Sequence, residues 1–367
     1  MKKMIIILLV AILLLASGCF SYRDMNRLFF GTVGLFDIND KGELLLYGES
    51  FTTNRGGEEF GTEVRIILTG TGKTVLGAFY GYGAKFPIAY DMNKVLIYTE
   101  RLARQGFKDY MDSPRRNQKP SLKQYLFVCE GDVEKLLSIE ISDEKFLGMY
   151  LENMMIFQSN VANVRALQLN DFLNEQEIGS KISLMPIIGV VEKVIEERID
   201  VIGVAIIEDY KMIDKLSVEE LVYYKFLNNE MKIGYIDAVN PQNENGYVSL
   251  NTGKTKTKRT VTYKNNIVQV DIMINTIVSL EEAEGGIDLL DDKIRKQIEK
   301  NASEVVKNKC MELFDKYKEK GIDLLNIQAD MQRKYPKVQL EDIMEVTKLN
   351  LEVKVQIEGS GNITDSK

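Results

Sequence analysis

Cysteine and histidine set the limits of the chemistry that this sequence can perform. The chain of 367 residues contains three cysteines, Cys19, Cys129 and Cys310, and no histidine. Without histidine, neither a Ser-His-Asp nor a Cys-His catalytic arrangement can form, and a histidine metal site is excluded. An enzyme built on this sequence would have to use carboxylates, lysine or a serine–lysine pair. The sequence therefore favours a protein that is not an enzyme, and predicts no catalytic residue, metal site or cofactor.

Cys19 follows a segment that has the features of a secretory signal. Lys2 and Lys3 give a basic start, residues 4–16 form an unbroken apolar run, and Ser17 and Gly18 are small. This order is typical of a signal peptide. The apolar run is shorter than the roughly 20 residues that span a bilayer comfortably. We predict a signal peptide over residues 1–18 and a mature chain that begins at Cys19.

Ala16-Ser17-Gly18-Cys19 resembles the lipobox of bacterial lipoproteins, in which the cysteine sulfur is acylated and the cysteine becomes the first residue. The position three residues before the cysteine, which usually holds leucine, holds Ala16 here. The resemblance implies lipidation at Cys19, and a diacylglyceryl group would hold the protein stably at a membrane. The alternatives are an ordinary signal peptide or a short membrane anchor beside an incidental cysteine.

The two other cysteines have the surroundings of core residues. Cys129 ends the apolar run 125–128, and Cys310 has apolar neighbours at helical spacing. Free cysteine commonly behaves as a small buried hydrophobic residue. We interpret both cysteines in this way, with a disulfide between them as the alternative.

Two short motifs look like the end of a phosphate-binding loop. They are Gly72-Lys73-Thr74 and Gly253-Lys254-Thr255, but the glycine required five positions earlier is replaced by Ile67 and Val248. At the first motif, Thr71 is predicted to cap a following helix. The sequence therefore does not predict nucleotide binding.

Two groups of charged residues also have structural interpretations. Glu219 and Glu220 are adjacent, so they point in different directions on a helix and are predicted to favour the dipole of its start. Lys254–Arg259 alternates basic residues with threonine. This pattern predicts a strand at a solvated sheet edge that lysines protect from further pairing.

The overall charge of the mature chain is acidic. Without Lys2 and Lys3, the 47 basic residues fall to 45 against 54 acidic residues, a formal charge of −9. This balance argues against nucleic-acid binding and against electrostatic adhesion to anionic lipid. Membrane attachment would then rest on the acyl chains. The hydrophobic fraction of 45% is sufficient for real cores.

The hydrophobic patterns predict an α+β fold with several domains, in which helices pack on mixed or antiparallel sheets. The clearest helix is Ile287–Lys320, with an apolar stripe that includes Leu290 and Leu313 and with Gly321 as its terminating residue. We predict a long amphipathic helix in the C-terminal domain. The predicted divisions after the signal peptide are an N-terminal domain (19–195), a middle domain (196–251), a C-terminal domain (252–358) and a frayed tail (359–367).

Several segments, taken in order, resemble the Ger(x)C family, lipoprotein subunits of bacterial spore germinant receptors. The first block comprises Cys19–Asp24, Ile66–Gly70, Thr74–Tyr82, Lys94–Tyr98, Glu100, Ala103–Gly106, Asp109–Asp112 and Pro114–Arg116. The second comprises Val201–Ile207, Lys211-Met212 and Leu216–Glu220, and the third Lys320–Leu325, Arg333–Pro336 and Leu351–Ile357. Where the family usually has phenylalanine–glycine, this chain has Asn326-Ile327, and it lacks tryptophan altogether.

The resemblance implies a non-enzymatic, lipid-anchored receptor subunit needed for nutrient-triggered germination. Its implied partners are the integral-membrane A-type and B-type subunits, one permease-like and one with a soluble domain, at the outer face of the spore inner membrane. No small-molecule ligand is assigned. The alternative is a lipid-anchored extracytoplasmic solute-binding protein, which requires a deep cleft between two similar lobes. A surface hydrolase is a third class, weakened by the missing histidine.

Overall fold

The computed structural model describes residues 29–53, 63–83, 88–89, 92–111, 121–142, 144–192 and 196–360. Its strands are β1 (Phe29–Ile38), β2 (Leu44–Thr53), β3 (Glu63–Gly72), β4 (Ile88–Ala89), β5 (Val95–Thr99), β6 (Tyr125–Cys129), β7 (Ile182–Glu192), β8 (Glu197–Glu208), β9 (Lys211–Leu216), β10 (Tyr235–Asn240), β11 (Asn243–Lys264), β12 (Ile267–Ala283) and β13 (Thr347–Ser360). Its α-helices are α1 (Val75–Gly83), α2 (Glu100–Gln105), α3 (Val133–Ser138), α4 (Leu147–Gln158), α5 (Leu169–Glu175), α6 (Val218–Leu227), α7 (Asp292–Glu319), α8 (Ile327–Lys334) and α9 (Ile343–Val346).

The strands form two sheets of different size and order. The larger sheet runs β3-β2-β1-β5-β6-β7-β8-β9, with β4 beside β1. Its centre is parallel from β1 through β5 and β6 to β7, and antiparallel pairs flank that centre on both sides. The smaller sheet runs β10-β11-β12-β13, with the last pair parallel. This mixed architecture confirms the predicted α+β class.

Apolar residues fill both faces of the larger sheet and one face of the smaller sheet. One cluster, with Tyr98, Phe107 and Phe172, lies on one face of the larger sheet, and a second, with Phe127 and Leu151, contains residues of the opposite face. The third cluster lies between the smaller sheet and α6, α7 and α8. That cluster also contains Ile182 and Leu184 of β7 and Val204 and Ile206 of β8. The two sheets therefore share a hydrophobic core.

The predicted division of the chain into three domains stays a prediction. The structure divides the predicted middle segment, residues 196–251, between the two sheets. Strands β8 and β9 belong to the larger sheet, whereas β10 and the first part of β11 belong to the smaller one. The helix α6 connects them and packs into the shared core through Leu221, Phe226 and Leu227.

The long C-terminal helix is confirmed, but it begins later than the sequence pattern indicated. It starts at Asp292, and Asp291 caps it by accepting a hydrogen bond from the amide of Lys293. Just before it, Asp288 accepts a hydrogen bond from the amide of Leu290 at 2.9 Å, a local bond that competes with helix formation. Leu290 consequently lies outside the helix and is 83% exposed, so its assignment to the apolar stripe was wrong.

A buried carboxylate fixes the start of α4 against the larger sheet. Glu49 is fully buried and accepts hydrogen bonds from the amides of Leu147 and Gly148, both at 2.9 Å. It also pairs with Arg65 and with the hydroxyl of Thr32, each at 2.5 Å. The first amides of a helix have no partner within the helix, and a negative charge there is favourable. Glu49 thus joins three neighbouring strands to the helix that lies over them.

Candidate functional site

The predicted lipidation residue lies outside the described residues. The described chain begins at Phe29, and Cys19 precedes it by ten positions. The described part of the chain contains no helix with both the length and the apolar composition needed to cross a bilayer.

Cys129 and Cys310 are both free and buried, as the sequence indicated. They lie in different hydrophobic clusters, so they do not face one another. Burial raises the pKa of the Cys129 thiol to about 12 and also raises that of Cys310. Neither thiol is therefore poised as a nucleophile at neutral pH.

The glycine of the Gly72-Lys73-Thr74 motif allows a helix to pack closely on a strand. Gly72 ends β3, and a Cβ atom added there would lie 2.5 Å from the amide nitrogen of Ala78 in α1. The predicted cap at Thr71 was wrong, because Thr71 pairs within the sheet with Leu45. Instead, the hydroxyl of Thr74 accepts a hydrogen bond from the amide of Gly77 at 3.1 Å. The second motif, at Gly253, lies within β11 at a shift of strand register.

The paired glutamates have the predicted structural position at the start of α6. Glu220 completes a capping box with Ser217, and its other oxygen binds Lys316 of α7 at 2.5 Å. Glu219 is exposed. Among the described residues, no group of three or more cysteine, aspartate or glutamate side chains is placed to bind a metal ion.

A set of buried and half-buried polar groups lies where the two sheets meet. We call this set, formed by Arg165, Glu175, Ser180, Lys225, Glu230 and Asp323, the inter-sheet junction. A backbone bridge accompanies it, since the amide of Ala162 donates to the carbonyl of Ile233 at 2.7 Å. The junction joins the segments around α4 and α5 to those around α6 and α8.

Asp323 is the central carboxylate of the junction on the side of the smaller sheet. It is buried, and it accepts hydrogen bonds from the amides of Ile327 and Gln328, both at 2.8 Å, at the start of α8. The hydroxyl of Ser180, beside the larger sheet, donates to it at 2.6 Å. Burial raises the pKa of Asp323, against the opposing effect of these hydrogen bonds. This carboxylate therefore both starts α8 and fixes a loop 143 residues away.

Arg165 connects the same two parts through carboxylates. Its guanidinium binds Glu175 of α5 at 2.8 Å and Glu230, after α6, at 3.3 Å. It also donates to the carbonyl of Leu184 in β7 at 2.9 Å. A planar guanidinium with several donors in fixed directions suits such a junction better than a single ammonium group.

Lys225 is a buried ammonium without a carboxylate partner among the described residues. It is 3% exposed, and its Nζ donates to the carbonyls of Val161 at 2.8 Å and Val164 at 2.5 Å. Burial lowers the pKa of Lys225 to about 8, partly opposed by the charge of Glu230. Burial therefore makes the charged form less favourable than in an exposed lysine, although the ammonium still predominates at neutral pH.

We expect Lys225 to make stability depend on pH. An unfolded lysine keeps its proton up to about pH 10.4, so between pH 8 and that value the unfolded chain binds more protons than the folded chain. The penalty for the charged lysine is present below pH 8 and is relieved as pH rises through this window. The free energy of unfolding should increase by about 2 kcal/mol from pH 7.5 to 9.5, relative to Lys225→Met. The free energies come from urea unfolding at each pH. If the free energy of unfolding changed with pH equally in the two proteins, the assignment to Lys225 would be wrong.

Sequence reasoning did not identify the inter-sheet junction. One signal was present, because Lys225 interrupts the apolar run of α6 between Tyr224 and Phe226. A second signal was Asp323 itself, which lies four residues before Ile327 and within the segment Lys320–Leu325 that resembles the family. Nothing in either segment indicated its distant partner.

Two family models match the chain in consecutive segments. The model described as "Spore germination protein N-terminal domain" matches residues 21–190, and the model "Spore germination B3/ GerAC like, C-terminal" matches residues 202–361. Together they cover most of the chain. The chain belongs to the Ger(x)C family. The resemblance found in the sequence is therefore confirmed.

Two individual proteins are similar to this chain over most of its length. The spore germination protein GerQC of Bacillus cereus is 23% identical over 328 residues, which are 89% of this chain and 89% of that protein. The crystal structure of the GerBC protein superposes with a TM-score of 0.57 at 13% sequence identity, over 89% of this chain and 97% of that one. The fold is thus similar to that of GerBC. The segment 320–325, which contains Asp323 of the junction, lies within the C-terminal match.

Proposed function

We propose that this Ger(x)C protein is the lipid-anchored, non-enzymatic C subunit of a spore germinant receptor. It acts at the outer face of the spore inner membrane with integral-membrane A-type and B-type subunits. The observation that carries this proposal is the pair of spore germination matches in order, 21–190 and 202–361, which begins two residues after Cys19. The relative GerQC, similar over almost its whole length, supports it.

The positions of the candidate chemical residues support a role without catalysis. Glu220 caps a helix and binds Lys316, and Gly72 permits close helix packing. The polar groups of the inter-sheet junction are engaged with one another and with backbone groups of both sheets. The subunit would therefore act through surfaces.

The alternative, a lipid-anchored solute-binding protein, requires two similar lobes around a cleft. The two sheets differ in strand number and order, and they share one core. These features favour the receptor subunit.

Affinity purification of the tagged protein from dormant spore membranes tests the proposal. Recovery of membrane subunits in equal amounts is the expected result. Recovery of a small molecule without membrane subunits would instead support the solute-binding alternative. A second tagged lipoprotein from the same membranes serves as the control for non-specific recovery.

We expect Cys19→Ala to abolish acylation and maturation after Gly18 without changing the fold. The reason is that the substitution removes the thiol that resembles the acylated lipobox cysteine, ten positions before β1 begins. Detergent partitioning and mass spectrometry of the N-terminal peptide provide the measurement. An unmodified Cys19 thiol in the mature wild-type protein would rule out the lipid anchor.

A further inference from the structure

Helix α1 is apolar around its whole circumference yet lies at the surface. It contains no charged residue, and its sequence is VLGAFYGYG. Helices that are hydrophobic all round are normally buried in a core or in a membrane. One side of α1 does pack on the sheet, where Val75 and Ala78 are buried. On the opposite side, Leu76 is 65% exposed and Tyr80 is 69% exposed.

These two side chains lie on one face of the helix. A separation of four residues places them one turn apart on the same side. The glycines of α1 let the helix lie directly on the edge strand β3, since a Cβ atom on Gly81 would be 3.4 Å from the Cα of Gly70. This packing leaves Leu76 and Tyr80 pointing away from the sheet.

One further exposed apolar side chain, Val64, lies on β3 towards the start of β1. Side chains alternate between the two faces of a strand, and a Cβ atom on Gly72 would point at α1. Val64 is an even number of residues from Gly72, so it lies on the same face as α1. It is 39% exposed and pairs with Thr52, next to Phe51, which pairs with Phe30. Two strand spacings of about 4.8 Å place Val64 roughly 10 Å from the start of β1.

The start of β1 is also where the chain from Cys19 enters the fold. Ten residue steps separate Cys19 from Phe29, and their full extension is at most about 36 Å. Helix α1 ends at Gly83, five residue steps before Ile88, so Gly83 lies within about 18 Å of Ile88. Ile88 pairs with Phe29 at the start of β1, so the end of α1 is close to that start. A bilayer that holds Cys19 is therefore within reach of α1.

We propose that α1 and Val64 form a second membrane-contact surface, with Leu76 and Tyr80 inserted among the lipid headgroups. The proposal rests on the proposed function in that a bilayer holds Cys19. Contact with a bilayer suits this surface because α1 brings no charge to be desolvated, and because tyrosine favours the membrane interface. Lys73, exposed just before α1, lies beside the surface and can remain in the headgroup layer. The contact would orient the subunit on the membrane.

A tryptophan reporter provides a direct test, because the sequence contains no tryptophan. The mature chain carrying Tyr80→Trp is coupled through Cys19 to a maleimide phospholipid in phosphatidylcholine–phosphatidylglycerol vesicles. Cys129 and Cys310 are buried, so coupling is directed to Cys19. We expect a blue shift of the indole emission and quenching by brominated lipid. Leu290→Trp, at a position 83% exposed, is the control and should show neither effect.

A second pair of variants measures the contribution to binding. In the uncoupled chain, Leu76→Asn with Tyr80→Asn should weaken vesicle binding about tenfold or more, as expected from the loss of two apolar contacts. Because both positions are exposed, the melting temperature should not change, and Leu290→Asn should leave both properties unchanged.

An indole at position 80 that is unshifted and unquenched on the vesicles overturns the proposal. A blue shift of the same indole in the assembled receptor, but not on vesicles, also overturns the proposal and indicates contact with a protein partner. Chemical coupling makes these results independent of natural acylation. Mass spectrometry of Cys19 and co-purification of membrane subunits therefore test the proposed function separately.

Discussion

Glu49→Ala is expected to lower the free energy of unfolding by about 3–5 kcal/mol, because it breaks a buried charged network by removing one partner. Arg65 loses its carboxylate, and the amides of Leu147 and Gly148 lose their acceptor. All three donors are then left poorly solvated, which costs more than the bonds themselves contributed. Urea unfolding of the chain from residue 20 onwards, followed by circular dichroism, measures the effect.

Two further variants distinguish the network from a general effect of surface charge. Glu49→Gln keeps one acceptor oxygen and the shape of the side chain, so its loss should be smaller. Glu63→Ala, an exposed position on the adjacent strand β3, should change stability by about 0.5 kcal/mol or less. If Glu49→Ala and Glu63→Ala unfolded at the same urea concentration, the role assigned to Glu49 would be wrong.

Leu313→Asp should destabilise the protein by about 3–5 kcal/mol, through a cavity and an unpaired buried charge. Leu313 is 3% exposed in α7 and packs in the core shared by the two sheets. Because that core includes β7 and β8, the loss should appear in the unfolding of the whole chain. Thermal melts followed by circular dichroism provide the measurement.

Leu290→Asp is the matched control, with the same chemical change at a position 83% exposed. Its effect should be about 0.5 kcal/mol or less. A Leu313→Asp protein that melts like the parent, yet fails to assemble with membrane subunits, would show that this face of α7 is a partner surface and not a core.

The sequence pattern predicted elements whose apolar residues repeat regularly. The long helix α7, the strands on either side of it and the end of the helix at Gly321 all follow from local periodicity and capping residues. The start of α7 was misplaced because Leu290 fits the helical spacing, although a local bond to Asp288 holds the chain in a turn. Periodicity reports which residues could share a face, and it cannot report competing local hydrogen bonds.

The inter-sheet junction could not be predicted in the same way. Ser180 and Asp323 are 143 residues apart, and Arg165 reaches Glu230 across 65 residues. Such contacts depend on how two sheets pack, for which a single sequence carries no periodic signal. Lys225 is the clearest case, since a lysine on a helix is normally exposed. The surface of α1 was missed for a related reason, because the sequence does not show that this apolar helix lies on an edge strand.

The shared core also limits how this chain can exchange parts with its relatives. The N-terminal family match ends at residue 190 within β7, and the C-terminal match begins at residue 202 within β8. Leu184 and Val204 on these strands nevertheless pack in one cluster with Val306 of α7. In a chimera joined between the two matches, core side chains from one protein would have to pack against core side chains from another. Misfit of this kind in a packed core costs about 1–3 kcal/mol for each overfilled site. The two halves are therefore expected to be inherited together, and recombinants between family members should be recovered only when residues on both sides of the core are exchanged as a set.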